Sequence, residues 1–181
     1  MRALARGILL ALLVPGCLLW AGPPAQAREC PPASAGGGRT IGWIKFDDVR
    51  VPLKEVSYPA GGVLDPPPTN RAAGLSARHR GLLATQGTSV ITWHVRFGPG
   101  CKGTLNPILR RPVGSRFDIV TAGGVRRTYQ LVDRQVVRRG RYQPAWFRTL
   151  GPRQVALFTC SDLRNGVYRR TTALFAEPVT G

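Results

Sequence analysis

Three side chains of this sequence have the types needed to handle an acyl group. Cys160 closes the apolar run Ala156-Leu157-Phe158-Thr159, and Arg169 follows nine residues later. His94 lies far upstream, in Ser89-Val90-Ile91-Thr92-Trp93-His94-Val95. A thiolate can attack a carbonyl, an imidazole can carry the proton, and a guanidinium can hold the developing oxyanion. Arginine suits the last task because it stays charged and presents a planar fork of donors. A free cysteine taken alone reads as core packing. The combination with a histidine and an arginine at strand ends reads as a thiol acyl-transfer site. His94 is the histidine set in a strand pattern, whereas His79, in Ala77-Arg78-His79-Arg80, reads as a solvated loop group.

Ordinary acidities limit such a site. With pKa values of about 8.5 for a thiol and 6.5 for an imidazole, thiolate and imidazolium coexist in about 1% of molecules near pH 7.5. That corresponds to a penalty of roughly 2.7 kcal/mol. Either a local field shifts both groups or the chemistry is slow.

The three side chains need a frame to bring them together. From Ile41 onward, short strand-like runs alternate with turn signals. Ile41–Phe46, Val49–Leu53, Ser89–Val95, Phe117–Ala122, Thr128–Val132, Val136-Val137, Val155–Thr159 and Thr171–Ala176 read as strands. Gly61-Gly62 and Pro66-Pro67-Pro68 punctuate the chain, and Gly123-Gly124 marks a hairpin turn. Leu105–Arg111 and Ala145–Leu150 are the helix-like pieces, and both are short. The expected fold is all-β, a closed barrel with one or two short helices.

Residues 1–27 read as a signal peptide or membrane anchor, residues 28–40 as a flexible tether, and residues 41–181 as the catalytic domain. The N-terminus has a basic start with Arg2 and Arg6, an apolar run from Ile8 to Trp20, and the small-residue signal Ala25-Gln26-Ala27. Pro15-Gly16 breaks the run, which is short for a membrane span. Val14-Pro15-Gly16-Cys17 loosely resembles a lipidation box, but Pro15 and Leu18-Leu19-Trp20 argue against that use. Cleavage after Ala27 leaves three of the four cysteines, an odd number. Cys30 and Cys101, both in Pro/Gly-rich loops, suit a pair, and Cys160 suits the free thiol.

Losing Arg2 and Arg6 takes the basic count from 26 to 24 against 9 acidic residues, a net +15. Such a charge favours anionic partners. The arginines, however, are scattered as pairs (Arg110-Arg111, Arg126-Arg127, Arg138-Arg139, Arg169-Arg170) rather than gathered into one stripe, and an Arg-rich composition is also what a GC-rich genome writes. No nucleic-acid partner is read from it. No Cys-x-x-Cys or His-x-x-x-His spacing exists, and Asp47-Asp48 is too little for calcium, so no metal or cofactor is expected.

These residues carry a resemblance to the sortases, and within them to the actinobacterial class often called E or F. The sortase Thr-Leu-x-Thr-Cys strand is matched by Ala156-Leu157-Phe158-Thr159-Cys160 at four of five positions with x free. The family's histidine block, Gly-His-(Val/Ala), resembles Trp93-His94-Val95. Its Tyr-Arg-x-Asn-Val-Val-Val strand resembles Tyr168-Arg169-Arg170-Thr171-Thr172-Ala173-Leu174, which ends on Ala176. Pro112–Val120 and Thr128-Tyr129-Gln130-Leu131 are similar to two further strands of the family. The likeness covers about Ile41 to Val179. Trp93 in place of a small residue, Gly74-Leu75-Ser76 in place of Gly-Trp-Tyr, and the short Cys160-to-Arg169 loop depart from the pattern and bear on substrate preference.

The resemblance implies a monomeric cysteine transpeptidase, secreted or tethered at the outer face of the membrane. It implies cleavage of a Leu-Pro-x-Thr-Gly-like sorting signal by Cys160, with His94 as acid and base and Arg169 as oxyanion donor. Trp93, Thr159 and Arg170 are expected to contact substrate. The acceptor is expected to be an amine of a peptidoglycan precursor or a pilin. The Ser-His-Gly-Cys block of the L,D-transpeptidases is absent. A catalytically silent relative that binds anionic wall polymer is the alternative.

Overall fold

The computed structural model describes residues 30–32, 34, 38–57, 65–79 and 81–179. The expected export segment, part of the tether and Gly61-Gly62 lie outside the described residues. Eight strands among these residues close into a barrel: β1 (Thr40–Phe46), β2 (Val49–Val56), β3 (Ala73–Ser76), β4 (Thr88–Thr92), β5 (Arg116–Thr121), β6 (Arg126–Arg138), β7 (Gln154–Arg164) and β8 (Val167–Pro178). Their order around the barrel is β1-β2-β3-β4-β7-β8-β6-β5. The β2–β3 and β4–β7 pairs are parallel and the others antiparallel.

The expected barrel is present, with three differences in detail. β3 has no counterpart among the expected strands, because its four residues are all buried and show no alternation. The two expected fragments Thr128–Val132 and Val136-Val137 are one strand, β6, with a register shift between Leu131 and Asp133. The exposed Asp133 and Arg134 hide that continuity in the sequence. The two helix-like pieces are 3₁₀ turns, Asn106–Arg110 and Pro144–Phe147, each with proline in its first turn, where the missing N–H costs nothing.

Side chains of alternate residues fill the barrel. Ile44, Val51, Leu53, Ile91, Leu157 and Leu174 are fully buried there. Each such burial contributes roughly 1.5–3 kcal/mol. A second cluster covers the outer face of β4, β7 and β8, where Val90, Ala156, Phe158, Ala173 and Phe175 meet Trp146 of the second 3₁₀ turn. Strand β7 is therefore covered on both faces, which explains why Val155-Ala156-Leu157-Phe158 is a continuous apolar run rather than an alternating one.

Candidate active site

β7 runs four residues past Cys160, to Arg164, so the cysteine lies within a strand rather than at its end. Its parallel neighbour β4 stops at Thr92, opposite Phe158. Cys160 thus sits where the sheet loses its β4 partner. The extension comes from the β7–β8 turn. Asn165 and Gly166 have φ of 50° and 77°, the two left-handed residues that a tight two-residue hairpin requires.

Alternation along the strands decides which side chains meet. On β7, Ala156 and Phe158 belong to the outer cluster, so Cys160 shares the outer face. On β8, Phe175 and Ala173 belong to the same cluster. Thr171 is the direct partner of Cys160 and Arg170 of Ser161, and the ladder continues to Leu163–Tyr168 without a register shift. Strict alternation puts Arg169 on the face of Cys160, one step beyond Thr171, and Arg170 on the other, but Asp162, opposite Arg169, has a left-handed φ of 56° that interrupts the alternation, and both arginines line one depression. The β7–β8 ladder keeps its register throughout, with an irregularity at Asp162, whose pairing with Arg169 is missing.

On β4, Val90 belongs to the outer cluster and Thr92 pairs with Phe158. The ladder persists beyond the strand, since the Trp93 N–H donates to the Phe158 carbonyl (3.3 Å) and the Thr159 hydroxyl donates to the Trp93 carbonyl (2.8 Å). His94 is then two residues past Thr92, as Cys160 is two past Phe158. By strand order, His94 follows the end of β4, Cys160 lies on β7 and Arg169 on β8, three neighbouring strands.

Trp93 and Thr159, expected to touch substrate, do not face solvent. Trp93 is 2% exposed and points into the barrel, its indole N–H donating to Asn106 Oδ1 at 3.1 Å. Thr159 is 4% exposed. Their side chains fix the backbone on either side of the site instead. Arg170 is exposed, and its guanidinium reaches Asp162 at 3.7 Å. His79 also differs from the expected solvated group: Ser76 Oγ lies 2.9 Å from its Nδ1, and the Phe147 ring packs 5.3 Å from the imidazole because the second 3₁₀ turn folds onto it.

The turn after His94 is tightly held. Asn106 Nδ2 donates to the Val95 carbonyl at 2.8 Å, and the Gly103 N–H donates to the same oxygen at 3.0 Å. A Cβ at Gly103 would overlap the His94 carbonyl oxygen, so only glycine fits. The Phe97 ring meets the imidazole edge-on at 5.0 Å. A Cys30–Cys101 disulfide ties this turn to the chain before β1, leaving Cys160 as the free cysteine of the described residues.

Burial pushes the Cys160 thiol above the ordinary thiol range, an effect partly offset by Arg139. Burial pulls the His94 imidazole below 6.5, partly offset by Asp65. Both directions favour a neutral thiol beside a neutral imidazole. Burial also raises the Tyr168 hydroxyl, with Arg96 lowering it and the Cys160 charge raising it. Arg139 and Tyr168 were not singled out from sequence as site residues. Arg139 is visible only through the long-range β6–β8 pairing.

Cys160 opens into a cleft of about 360 Å³ with Val95, Arg96, Asn106 and Tyr168 in its walls, and His94 lies outside that lining. Arg169 lines a neighbouring depression of about 830 Å³. The two share Asp162 and Tyr168.

No family model matches the sequence, and no curated protein matches it. Solved structures match the fold. Sortase C1 of Streptococcus agalactiae superposes with a TM-score of 0.60 at 17% identity, covering 78% of this chain and 68% of that one. A lid mutant of sortase A from Corynebacterium diphtheriae gives 0.61 at 15% identity, covering 81% and 74%. Sortase C-1 of Actinomyces oris gives 0.60 at 18% identity, covering 79% and 76%. The chain has the sortase fold. The likeness extends to sortases named A and C alike and singles out no class.

Proposed function

We propose that this protein is a cysteine transpeptidase of the sortase kind, acting outside the cytoplasm on a Leu-Pro-x-Thr-Gly-like sorting signal. The observation that supports the reading is the free thiol of Cys160 on β7 of a sortase-type barrel, with Arg169 on the neighbouring β8 and His94 just past the end of β4. In this reading residues 1–27 export or anchor the chain, residues 28–40 tether it, and the barrel from residue 41 is the catalytic domain. No helix among the described residues is long and apolar enough to cross a membrane.

The Cys160 thiolate attacks the carbonyl carbon of the signal's threonine, forming the C–S bond. Arg169 donates hydrogen bonds to the resulting oxyanion. Collapse breaks the C–N bond, and imidazolium at His94 gives its proton to the departing glycine amine. An acceptor amine of a wall precursor or a pilin then attacks the thioester. His94 takes its proton, and the Cys160 thiolate leaves as the new amide forms.

The test is steady-state cleavage of a fluorogenic Leu-Pro-x-Thr-Gly peptide library with candidate amines. Cys160→Ala and His94→Ala abolish cleavage in a folded protein. Arg169→Ala lowers turnover by about 10²–10³, the usual cost of one oxyanion donor, and Arg170→Ala stays within a few-fold of wild type. Full activity in Cys160→Ala refutes the reading, and exchanged effects of the two arginine variants refute the assignment of Arg169.

A further inference from the structure

The arginine pairs that look scattered along the chain are partly gathered by the fold. Arg138 is the direct cross-strand partner of Arg170 on β6 and β8. One step further, the Arg139 N–H donates to the Arg169 carbonyl at 2.9 Å, so these two are also opposed. Like charges placed directly across a ladder destabilise it. Arg164, at the β7–β8 turn, completes the group around the depression of about 830 Å³. One carboxylate faces these five guanidinium groups: Asp162, 2.9 Å from Arg164 and 3.7 Å from Arg170. Among the described residues, no ion pair reaches Arg138, Arg139 or Arg169.

We propose that this depression is an anion-binding subsite beside Cys160, and that it takes a ligand carrying a phosphate or pyrophosphate group. Two opposed arginine pairs cost stability in the empty protein, and a multiply charged anion between them reverses that cost. Phosphate oxygens fit the planar guanidinium fork in bidentate pairs and carry the charge density that a single carboxylate lacks. The depression shares Asp162 and Tyr168 with the cleft of the thiol, so an anion held there lies next to the reacting atoms. The positive pull of Arg139 on the Cys160 thiol agrees with that proximity. The site's use by a substrate rests on the transpeptidase reading, whereas its affinity for the anion does not.

The test uses the intact chain and reads alkylation on the Cys160 peptide by mass spectrometry, which separates it from Cys17. Iodoacetate is an anion and iodoacetamide is neutral, so their rate ratio at Cys160 reports the local field. A unit charge about 10 Å away in water changes such a ratio about twofold, so Arg138→Gln with Arg164→Gln lowers it about fourfold. Inorganic pyrophosphate lowers the ratio in wild type and protects the thiol, and both effects fade in the double variant. Equal effects from chloride at matched ionic strength, or a ratio unchanged in the double variant, overturn the proposal. Absence of peptide cleavage by the wild-type chain, with the pyrophosphate effect present, refutes the transpeptidase reading and supports the subsite. Where turnover is measurable, pyrophosphate competing with the amine places the anion on the acceptor, and competition with the peptide places it on the donor.

Discussion

Alkylating Cys160 with neutral iodoacetamide across a pH range tests the electrostatics of the site directly, because only the thiolate reacts. Burial holds the thiol above the ordinary thiol range and the imidazole below 6.5. The alkylation midpoint therefore lies above that of an ordinary thiol. At pH 7.5 the rate is a small fraction of its plateau, falling tenfold per pH unit. Ordinary values already restrict thiolate and imidazolium to about 1% coexistence, and each further unit of separation removes another factor of ten, or 1.36 kcal/mol. Turnover, which needs both charged forms, has an acid limb below pH 6.5 as His94 protonates and an alkaline limb above the ordinary thiol range as Cys160 ionises, with a low maximum between them. Arg139→Ala removes a charge that lowers the thiol's pKa, so it moves the alkylation midpoint further up. An alkylation midpoint below pH 7 that rises in His94→Ala would show a stable thiolate–imidazolium pair and refute this account.

Two further outcomes follow from the turn that carries His94. Gly103→Ala pushes the His94 carbonyl aside, and a displacement of about 1 Å at a catalytic group lowers peptide-cleavage turnover by about 10², while the thermal midpoint falls only modestly; wild-type turnover in that variant shows that His94 is not positioned there. Replacing Cys30 and Cys101 by serine opens a loop of 71 residues and lowers the free energy of urea unfolding by about 4 kcal/mol, with no loss if the bridge does not form in solution.

Much of this site was legible in the sequence, and the unread parts share a cause. The continuous run Val155–Phe158 marked a buried strand, and Ser89–Val95 marked another, which ends at Thr92 and pairs with the first in parallel. The Asn165-Gly166 turn carried more information than it was given. Its two left-handed residues fix the β7–β8 register, which pairs Cys160 with Thr171 and Ser161 with Arg170. Thr159 and Trp93 were read as substrate contacts because they flank reactive residues, yet alternation sends both inward. Arg139 could not be read locally, because its place depends on β6 pairing with β8 across some thirty residues of intervening chain. β3 had no periodic signal at all, since its four residues are all buried.

The order of strands bears on whether arginines can rescue the charge state of the site. His94 follows β4, Cys160 lies on β7, Arg169 on β8, and Arg139 follows β6, and these strands are neighbours in that order. Neighbouring strands are about 4.8 Å apart, so Arg139 stands about 10 Å from the thiol and about 15 Å from the imidazole. At an effective dielectric constant of 20 it favours the thiolate by about 1.7 kcal/mol and opposes the imidazolium by about 1.1 kcal/mol. The net gain is ~0.6 kcal/mol, less than half a pKa unit. Arg169, one strand nearer both, follows the same rule with a larger difference, but its exposure admits solvent that screens it. Cations on the β8 side thus help the thiolate more than they harm the imidazolium, yet not by enough to overcome burial of both groups. The remaining cost falls on every turnover, and a sortase-type reaction at this site is therefore slow by construction, with the rare ion-pair form setting its rate.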